Sequence, residues 1–252
     1  MQGVGPVPQQ RIREKLDEYM SRRDYDGVTR HLNYWLGEAR AAGDLRGELM
    51  IRNEFVGHCR KIADREGALT HIGAALALLD RLELDGTVIE GTTCVNAATT
   101  LNAFGANERA LALFQRARAA YGSGQVDPGL LGGLYNNMAL TCASLGRYDE
   151  AEALYGDAMA QMAKAPCGQL EQAITCLNLA NLVEARDGME AGEHQIFDLL
   201  DRASALLDTP GLPRDGYYAC VCEKCAPTFE YYGFFADAER LKTEAARLYE
   251  GH

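Results

Sequence analysis

This sequence lacks strand patterning, long apolar runs and catalytic signatures, and each absence narrows what the chain can be. No run of β-branched residues alternates with polar ones, so a sheet-based fold is excluded as the main architecture. No segment approaches the eighteen or so unbroken apolar residues that a membrane span needs. The opening MQGVGPVPQQ has no basic stretch followed by an apolar one, so it does not read as a secretory signal. A cytoplasmic location is expected, where thiols stay reduced. There is no phosphate-binding Gly-x-x-x-x-Gly-Lys loop, no His-Glu-x-x-His, no Gly-x-Ser-x-Gly and no dinucleotide fingerprint after a strand. The five histidines (31, 58, 71, 194 and 252) are scattered. Acid pairs such as Asp149-Glu150 sit at helix starts, where they favour the helix dipole. An enzyme is therefore the least expected class, and no cofactor is expected.

The balance of charge is acidic, with 36 acids against 25 bases along the whole chain and a net charge of −11. That repels phosphate backbones and anionic lipid surfaces, so neither nucleic acid nor membrane is an expected partner. Eight cysteines raise the question of a metal, above all at Cys220-x-Cys222-x-x-Cys225. On a helix Cys222 and Cys225 fall at roughly 200° and 140° from Cys220, which does not converge on one ion. No second Cys or His pair follows at zinc-finger spacing, and no metal is expected. Cys59, Cys94, Cys142, Cys176, Cys222 and Cys225 occupy positions expected to pack, where a thiol acts as a small hydrophobe. Cys167 and Cys220 are the two with a prospect of reactivity.

What is present is helix. Ala, Leu, Glu and Arg dominate, and breakers recur at intervals. The larger breaks are Gly43-Asp44, Asp85-Gly86, Gly122 to Gly124 with Pro128-Gly129, Pro166 to Gly168, and Pro210 to Pro213. Shorter ones fall at Asp24, Asp64-Arg65, Gly105 to Asn107, Gly146-Arg147, Asp187-Gly188 and Gly233. The rhythm predicts a flexible lead-in over 1–8 and then a single repeat domain over 9–252. Its six helical hairpins run about 9–43, 45–85, 88–123, 129–165, 168–209 and 214–252.

Self-similarity supports that division. Val95-Asn96-Ala97-Ala98 aligns with Asn136-Asn137-Met138-Ala139 and with Leu177-Asn178-Leu179-Ala180. The asparagines Asn96, Asn137 and Asn178 lie 41 residues apart, twice in succession. Glu54 precedes Asn96 by 42, and Lys224 follows Asn178 by 46. The fourth hairpin carries the clearest motif: Tyr135, Met138, Ala139, Cys142, Gly146, Tyr148, Ala151, Tyr155, Ala158. The third repeats it with Cys94, Ala97, Ala98, Leu101, Gly105, Ala110, Phe114 and Ala117, and the sixth with Cys222, Cys225, Ala226, Phe229, Gly233, Ala238 and Ala245.

This pattern resembles the tetratricopeptide repeat, in which small residues let paired helices approach and aromatics fill the gaps. The resemblance implies an all-α fold, a right-handed α-solenoid of about six hairpins. A period of 41–42 with Asn-x-Ala in the first helix is similar to the kinesin-light-chain variety, which also occurs in bacterial peptide sensors. Such sensors often carry an N-terminal helix-turn-helix; no room for one precedes the first hairpin. The fold implied is silent about function, which must come from the site.

Asn costs several tenths of a kcal/mol in a helix interior, so three in one register suggest a recurring use. Asn96 with Thr99 and Asn102, Asn137 with Asn136 and Thr141, and Asn178 with Asn181 are expected to line the inner groove of the stack. A side-chain amide both donates and accepts, so a ladder of amides can pair with an extended peptide, as the resemblance also implies. Bracing of neighbouring helices is the other reading of the same amides, and both stand. Arg52, Arg60 and Lys224 are candidates to steer an acidic peptide or its carboxyl terminus, beside the plainer reading of a solvated face. The cluster Phe229, Tyr231, Tyr232, Phe234, Phe235 reads as hairpin packing with room for an exposed docking patch. The expected function is a protein- or peptide-binding scaffold. A self-associating homo-oligomeric module and a sensor of a small ligand inside the superhelix are the alternatives.

Overall fold

A computed structural model of the chain describes residues 6–122 and 126–250. It contains helices α1 (Gln9–Ser21), α2 (Tyr25–Ala42), α3 (Leu45–Lys61), α4 (Arg65–Arg81), α5 (Val88–Ala103) and α6 (Asn107–Gly122). They are followed by α7 (Pro128–Ser144), α8 (Tyr148–Met162), α9 (Gln169–Asp187), α10 (Met189–Leu207), α11 (Gly216–Tyr231) and α12 (Phe235–Glu250). No strand occurs among the described residues. The helices pair in sequence as six antiparallel hairpins, the architecture of an all-α repeat solenoid. They form two compact units, Met1–Val126 and Asp127–His252. Of the expected lead-in, residues 1–5 lie outside the described ones. Val7 is buried, and its amide donates to Asp44 Oδ2 at 3.0 Å.

Three successive helix starts in unit 1 use one device. Asp24, Asp44 and Asp64 precede α2, α3 and α4, and each carboxylate accepts from the amide of the glycine three residues on, at 2.8–2.9 Å. This satisfies a donor that a helix leaves unpaired at its N-terminus. Glycine at that place is a steric requirement, since a Cβ on Gly27, Gly47 or Gly67 would lie within 2.3 Å of the other oxygen, Oδ2, of the capping carboxylate. In α5 the cap is Thr87, whose hydroxyl accepts from the Glu90 amide at 3.2 Å. The buried Glu90 side chain reaches back to the Gly86 amide and across to Arg116 Nε, both at 2.7 Å.

Inside the third and fourth hairpins the facing residues are small. Ala110, Ala117, Ala151 and Ala158 are completely buried, and aromatic rings such as Phe114 and Tyr155 fill the space they leave. Gly91 meets the Tyr121 ring so closely that an added Cβ would fall 2.1 Å from it. Gly132 holds the same relation to Met162. Both lie five residues before the register asparagine of their own helix, so the close approach is itself part of the 41-residue repeat. Cys59, Cys94, Cys142, Cys176, Cys222 and Cys225 are buried among these packing residues, while Cys167 and Cys220 are exposed. Burial pushes the Cys94 thiol up to about 11 and that of Cys225 to about 12.

Successive hairpins are joined by a recurring polar contact. Asn53 on α3 donates to Thr93 Oγ1 on α5 at 3.0 Å, and Asn136 on α7 donates to Thr175 Oγ1 on α9 at 2.9 Å. Both asparagines stand one residue before the register position, and both threonines three before it in the next hairpin.

Candidate functional site

The register position takes Glu54, Asn96, Asn137, Asn178 and Lys224 in hairpins two to six, always on the first, odd-numbered helix. On α5 the core claims Thr93, Cys94, Ala97, Ala98, Thr100 and Leu101. Thr92, Asn96 and Thr99, spaced by four and three residues, form a separate stripe that points away from it. The same stripe leaves apolar residues exposed, among them Ile89 on α5 itself, Leu130 and Leu140 on α7, and Tyr217 and Tyr231 on α11.

In unit 1 this face encloses a cavity of about 480 Å³ between α1, α3 and the start of α5. Leu49, Met50, Val88 and Ile89 give it an apolar wall, and Asn53, Glu54, Thr92 and Asn96 give it polar groups. The Asn96 amide donates to the Asn53 carbonyl at 2.8 Å. That ties α5 to α3, and the Asn96 side-chain oxygen accepts from no described donor. The Asn53 side-chain oxygen is buried without a partner. Burial raises the Glu54 pKa more than Arg13, 3.5 Å away, lowers it. Arg46 stands on the rim with no acidic partner among the described residues.

Unit 2 has a cavity of about 530 Å³ on the equivalent face. Gly133 and Asn137 come from α7, Glu171 from α9, and Tyr217 and Lys224 from α11. The Asn137 amide turns back to its own helix, donating to the Gly133 carbonyl at 2.8 Å. The Tyr217 hydroxyl donates to Glu171, and burial followed by that carboxylate pushes the phenol's pKa up. Lys224 has no acidic partner among the described residues, and the exposed Cys167 forms part of the wall.

The helix interior glycines Gly57 and Gly133 line these two cavities. An added Cβ would meet nothing within 4 Å at either place. Packing therefore gives no reason for glycine there, although each costs about 1 kcal/mol of helix stability relative to alanine.

The other expected groove residues fare differently. Thr141 is fully buried and bonds the Asn137 carbonyl at 2.9 Å, so it belongs to the core. Asn136 is also buried, held by Thr175; it braces two hairpins and offers nothing to a groove. Arg52 does no steering: it is 4% exposed, and Glu48 takes its Nη2 at 2.8 Å while Nη1 meets His71 Nδ1 at 3.1 Å. Thr99 is half-buried and returns its hydroxyl to Val95 at 2.8 Å. Asn102 and Asn178 are half-buried, their side chains make no hydrogen bond to a described residue, and they line neither cavity. Asn181 is exposed and accepts from the Tyr232 hydroxyl at 3.1 Å. Arg60 lines a different cavity, between α1, α2 and α3. The aromatic cluster divides, with Phe229 and Tyr232 buried and Tyr231 and Phe235 exposed at 68% and 64%.

Asn53, Glu54, Gly57 and Tyr217 were not among the expected site residues. Glu54 was legible, since it holds the register position 42 residues before Asn96. The charge is also less even than the whole-chain balance implies. Residues 1–126 hold 16 bases and 16 acids, whereas 127–252 hold 9 and 20, so unit 2 carries the entire net −11. Among the described residues no group of three or more His, Cys, Asp or Glu is placed to hold a metal. No helix among them is long and apolar enough to cross a membrane.

No protein-family model matches the chain, and no curated protein matches it in sequence. Similarity to solved structures is extensive. A Podosopora anserina putative kinesin light chain with nearly identical TPR-like repeats is 13% identical, with a TM-score of 0.56, over 79% of this chain and 94% of that one. BtubC (BKLC) from P. vanneervenii is 15% identical, with a TM-score of 0.53, over 97% of this chain and 92% of that one. At such identities the likeness speaks for the fold alone: the chain has the fold of a TPR-like helical repeat protein.

Proposed function

We propose that this chain is a non-enzymatic protein-interaction scaffold that grips extended peptide segments along the face of its odd-numbered helices. In unit 1 Asn96 and Glu54 meet the segment, and in unit 2 Asn137 and Lys224 do. The observation that carries this reading is that in each unit the register-position side chains, Glu54 and Asn96 or Asn137 and Lys224, line a cavity together with an unpacked helix-interior glycine, Gly57 or Gly133. What the glycines provide is an open floor on which a peptide backbone can lie close to the helix. The polar groups beside them, flanked by exposed aliphatic side chains, match the alternation of main-chain and side-chain contacts that extended ligands make. The acidity of unit 2 disfavours nucleic acid and anionic lipid as occupants. Eight free thiols, six of them buried, suit a reducing cytoplasm.

The test is selection from a random peptide library displayed on phage, run with the natural chain and with Gly57→Trp/Gly133→Trp. The filled-groove variant should keep its melting temperature and lose the enriched peptides, as should Asn96→Ala/Asn137→Ala. Equal enrichment by both variants would remove the groove from consideration.

Self-association has one observation in its favour, the exposed Tyr231 and Phe235 of the last hairpin. Light scattering across a concentration series decides it, with Phe235→Ser as control. The outer surfaces of α1 and α12 are polar apart from such single residues, which is the form of a helix facing water.

A further inference from the structure

A second cavity of unit 1, about 570 Å³, lies between α1, α2 and the C-terminal half of α3. Leu16, Val28 and Leu32 form an apolar floor. Its polar groups have a definite order. Glu54 and Asp17 are its acids and stand near enough to repel: burial and the Asp17 charge disfavour ionised Glu54, against Arg13 at 3.5 Å, which favours it. Arg60 and Lys61 stand further along α3, and neither has an acidic partner among the described residues. The Arg60 side chain is exposed, and partial desolvation by its neighbours lowers its pKa. Six residues of helix separate Glu54 from Arg60, about 9 Å along the axis. Cations in a last helical turn complement the dipole, which explains their sign and not the lack of a counter-ion.

Between these ends lies His58, only 5% exposed. Its Nε2 meets Thr29 Oγ1 at 2.7 Å, and that hydroxyl already donates to the Tyr25 carbonyl at 3.0 Å. Nε2 therefore carries the proton, and Nδ1 presents a lone pair. That atom is buried with no partner. Leaving such an acceptor unpaired is unfavourable, so a donor is called for.

We propose that this cavity is a second binding site, for a short free peptide with aliphatic side chains. Its ammonium group faces Asp17 and Glu54, a peptide N–H donates to His58 Nδ1, and its carboxylate faces Arg60 and Lys61. An extended residue spans about 3.3 Å, so three residues match the distance between the charged ends. The carboxylate of such a ligand meets two cations without an acidic partner among the described residues, its ammonium meets Asp17, which has no cation paired to it there, and its side chains cover the apolar floor. This site is separate from the groove reading, with which it shares only Glu54 and Gly57.

Isothermal titration calorimetry with trileucine tests it, beside N-acetyl-trileucine, trileucine amide and 8-aminooctanoate, which has the charges but no peptide N–H. Trileucine should bind, and each of the other three should bind about tenfold more weakly. Arg60→Gln should weaken trileucine about tenfold and leave the amide unchanged, while Asp17→Asn should do the converse with the acetylated form. Asn96→Ala should leave trileucine binding intact, which separates this site from the groove. Both charge variants alter exposed side chains, and circular dichroism melting checks that they fold. No heat with trileucine, or capped forms that bind as well as the free peptide, overturns the proposal. Equal binding of 8-aminooctanoate overturns the peptide assignment and the role of His58.

Discussion

Acid should loosen unit 1 through His71. Its ring stacks on Phe55 with centroids 4.0 Å apart, and Nδ1 accepts from Arg52 Nη1 at 3.1 Å, so the native state needs it neutral. Burial, and then the Arg52 charge, lower its pKa from the ordinary 6.5 to about 4. The folded form thus binds fewer protons than the unfolded chain between those values. The stability contributed is fully present above pH 6.5 and is lost as pH falls towards 4. Between pH 7.5 and pH 5 the full linkage comes to about 2 kcal/mol, and the ring's partial exposure reduces that to about 1–2. Trp35, the chain's one tryptophan, packs on the unit 1 core, so urea unfolding followed by its fluorescence reads this unit. His71→Gln keeps an acceptor for Arg52 but cannot titrate. It should lower stability at every pH through loss of the stack and flatten the slope between pH 7.5 and 5. His31 and His58 also have pKa values lowered by burial, so the difference between the two proteins is the quantity to use. Staying above pH 5 keeps the Glu48 carboxylate out of the window: burial raises its pKa, but Arg52 and Arg40 outweigh that and hold it low. Parallel pH profiles for the natural chain and His71→Gln would refute the reasoning.

Three further outcomes follow from the packing. Asn136→Ala and Thr175→Ala in a double-mutant cycle should show a coupling of about 1 kcal/mol in thermal unfolding, and additivity would mean that the brace carries nothing. Gly91→Ala drives a methyl into the Tyr121 ring and should cost about 2 kcal/mol or more, whereas Gly57→Ala should stabilise by about 1, both read from urea midpoints. An aromatic disulfide reagent at pH 8 should label Cys167 and Cys220 in the native protein and the other six thiols only on unfolding.

The hairpins were legible because their breaks carry chemistry: Asp before a glycine three residues on, Gly105 and Gly146 at left-handed turns 41 residues apart. The packed cysteines were legible because they recur with alanine at the same places. Side-chain direction on the odd helices was harder to read. These helices are rich in Ala, Gly and Thr on several faces, so apolar periodicity separates the faces poorly. Asn136 and Asn137 are neighbours in sequence, yet about 100° of helix rotation sends one to Thr175 and leaves the other at the cavity. Arg52 looked like a surface cation because its partners, Glu48 and His71, come together only when α3 and α4 pack. The glycine floors could not be seen either, since a tolerated and a required glycine look alike in sequence. Only the space around a virtual Cβ separates Gly57 from Gly91.

The uneven charge leads to a last prediction. Helix α8 carries four acids and no base, and α10 carries four acids and one arginine. Of these, Arg147 before α8 pairs with Glu150, and Arg186 on α9 pairs with Glu152 at 2.7 Å. Asp149, Asp157, Glu190, Glu193 and Asp201 are exposed with no cation paired to them among the described residues. Like charges on one surface oppose the compact state, and salt screens them within a Debye length of about 30 Å at 0.01 M and about 10 Å at 0.1 M. In α2 and α4 acids and bases are equal in number, two of each, so the same salt has little to screen. Hydrogen–deuterium exchange resolves the units within one experiment. Protection of α8 and α10 amides should rise several-fold between 10 mM and 500 mM sodium chloride, while that of α2 and α4 stays level. Potassium fluoride should do the same, which distinguishes screening from specific chloride binding. A uniform rise across both units would mean that general salting-out governs stability, and that the acid surplus of unit 2 costs the fold nothing.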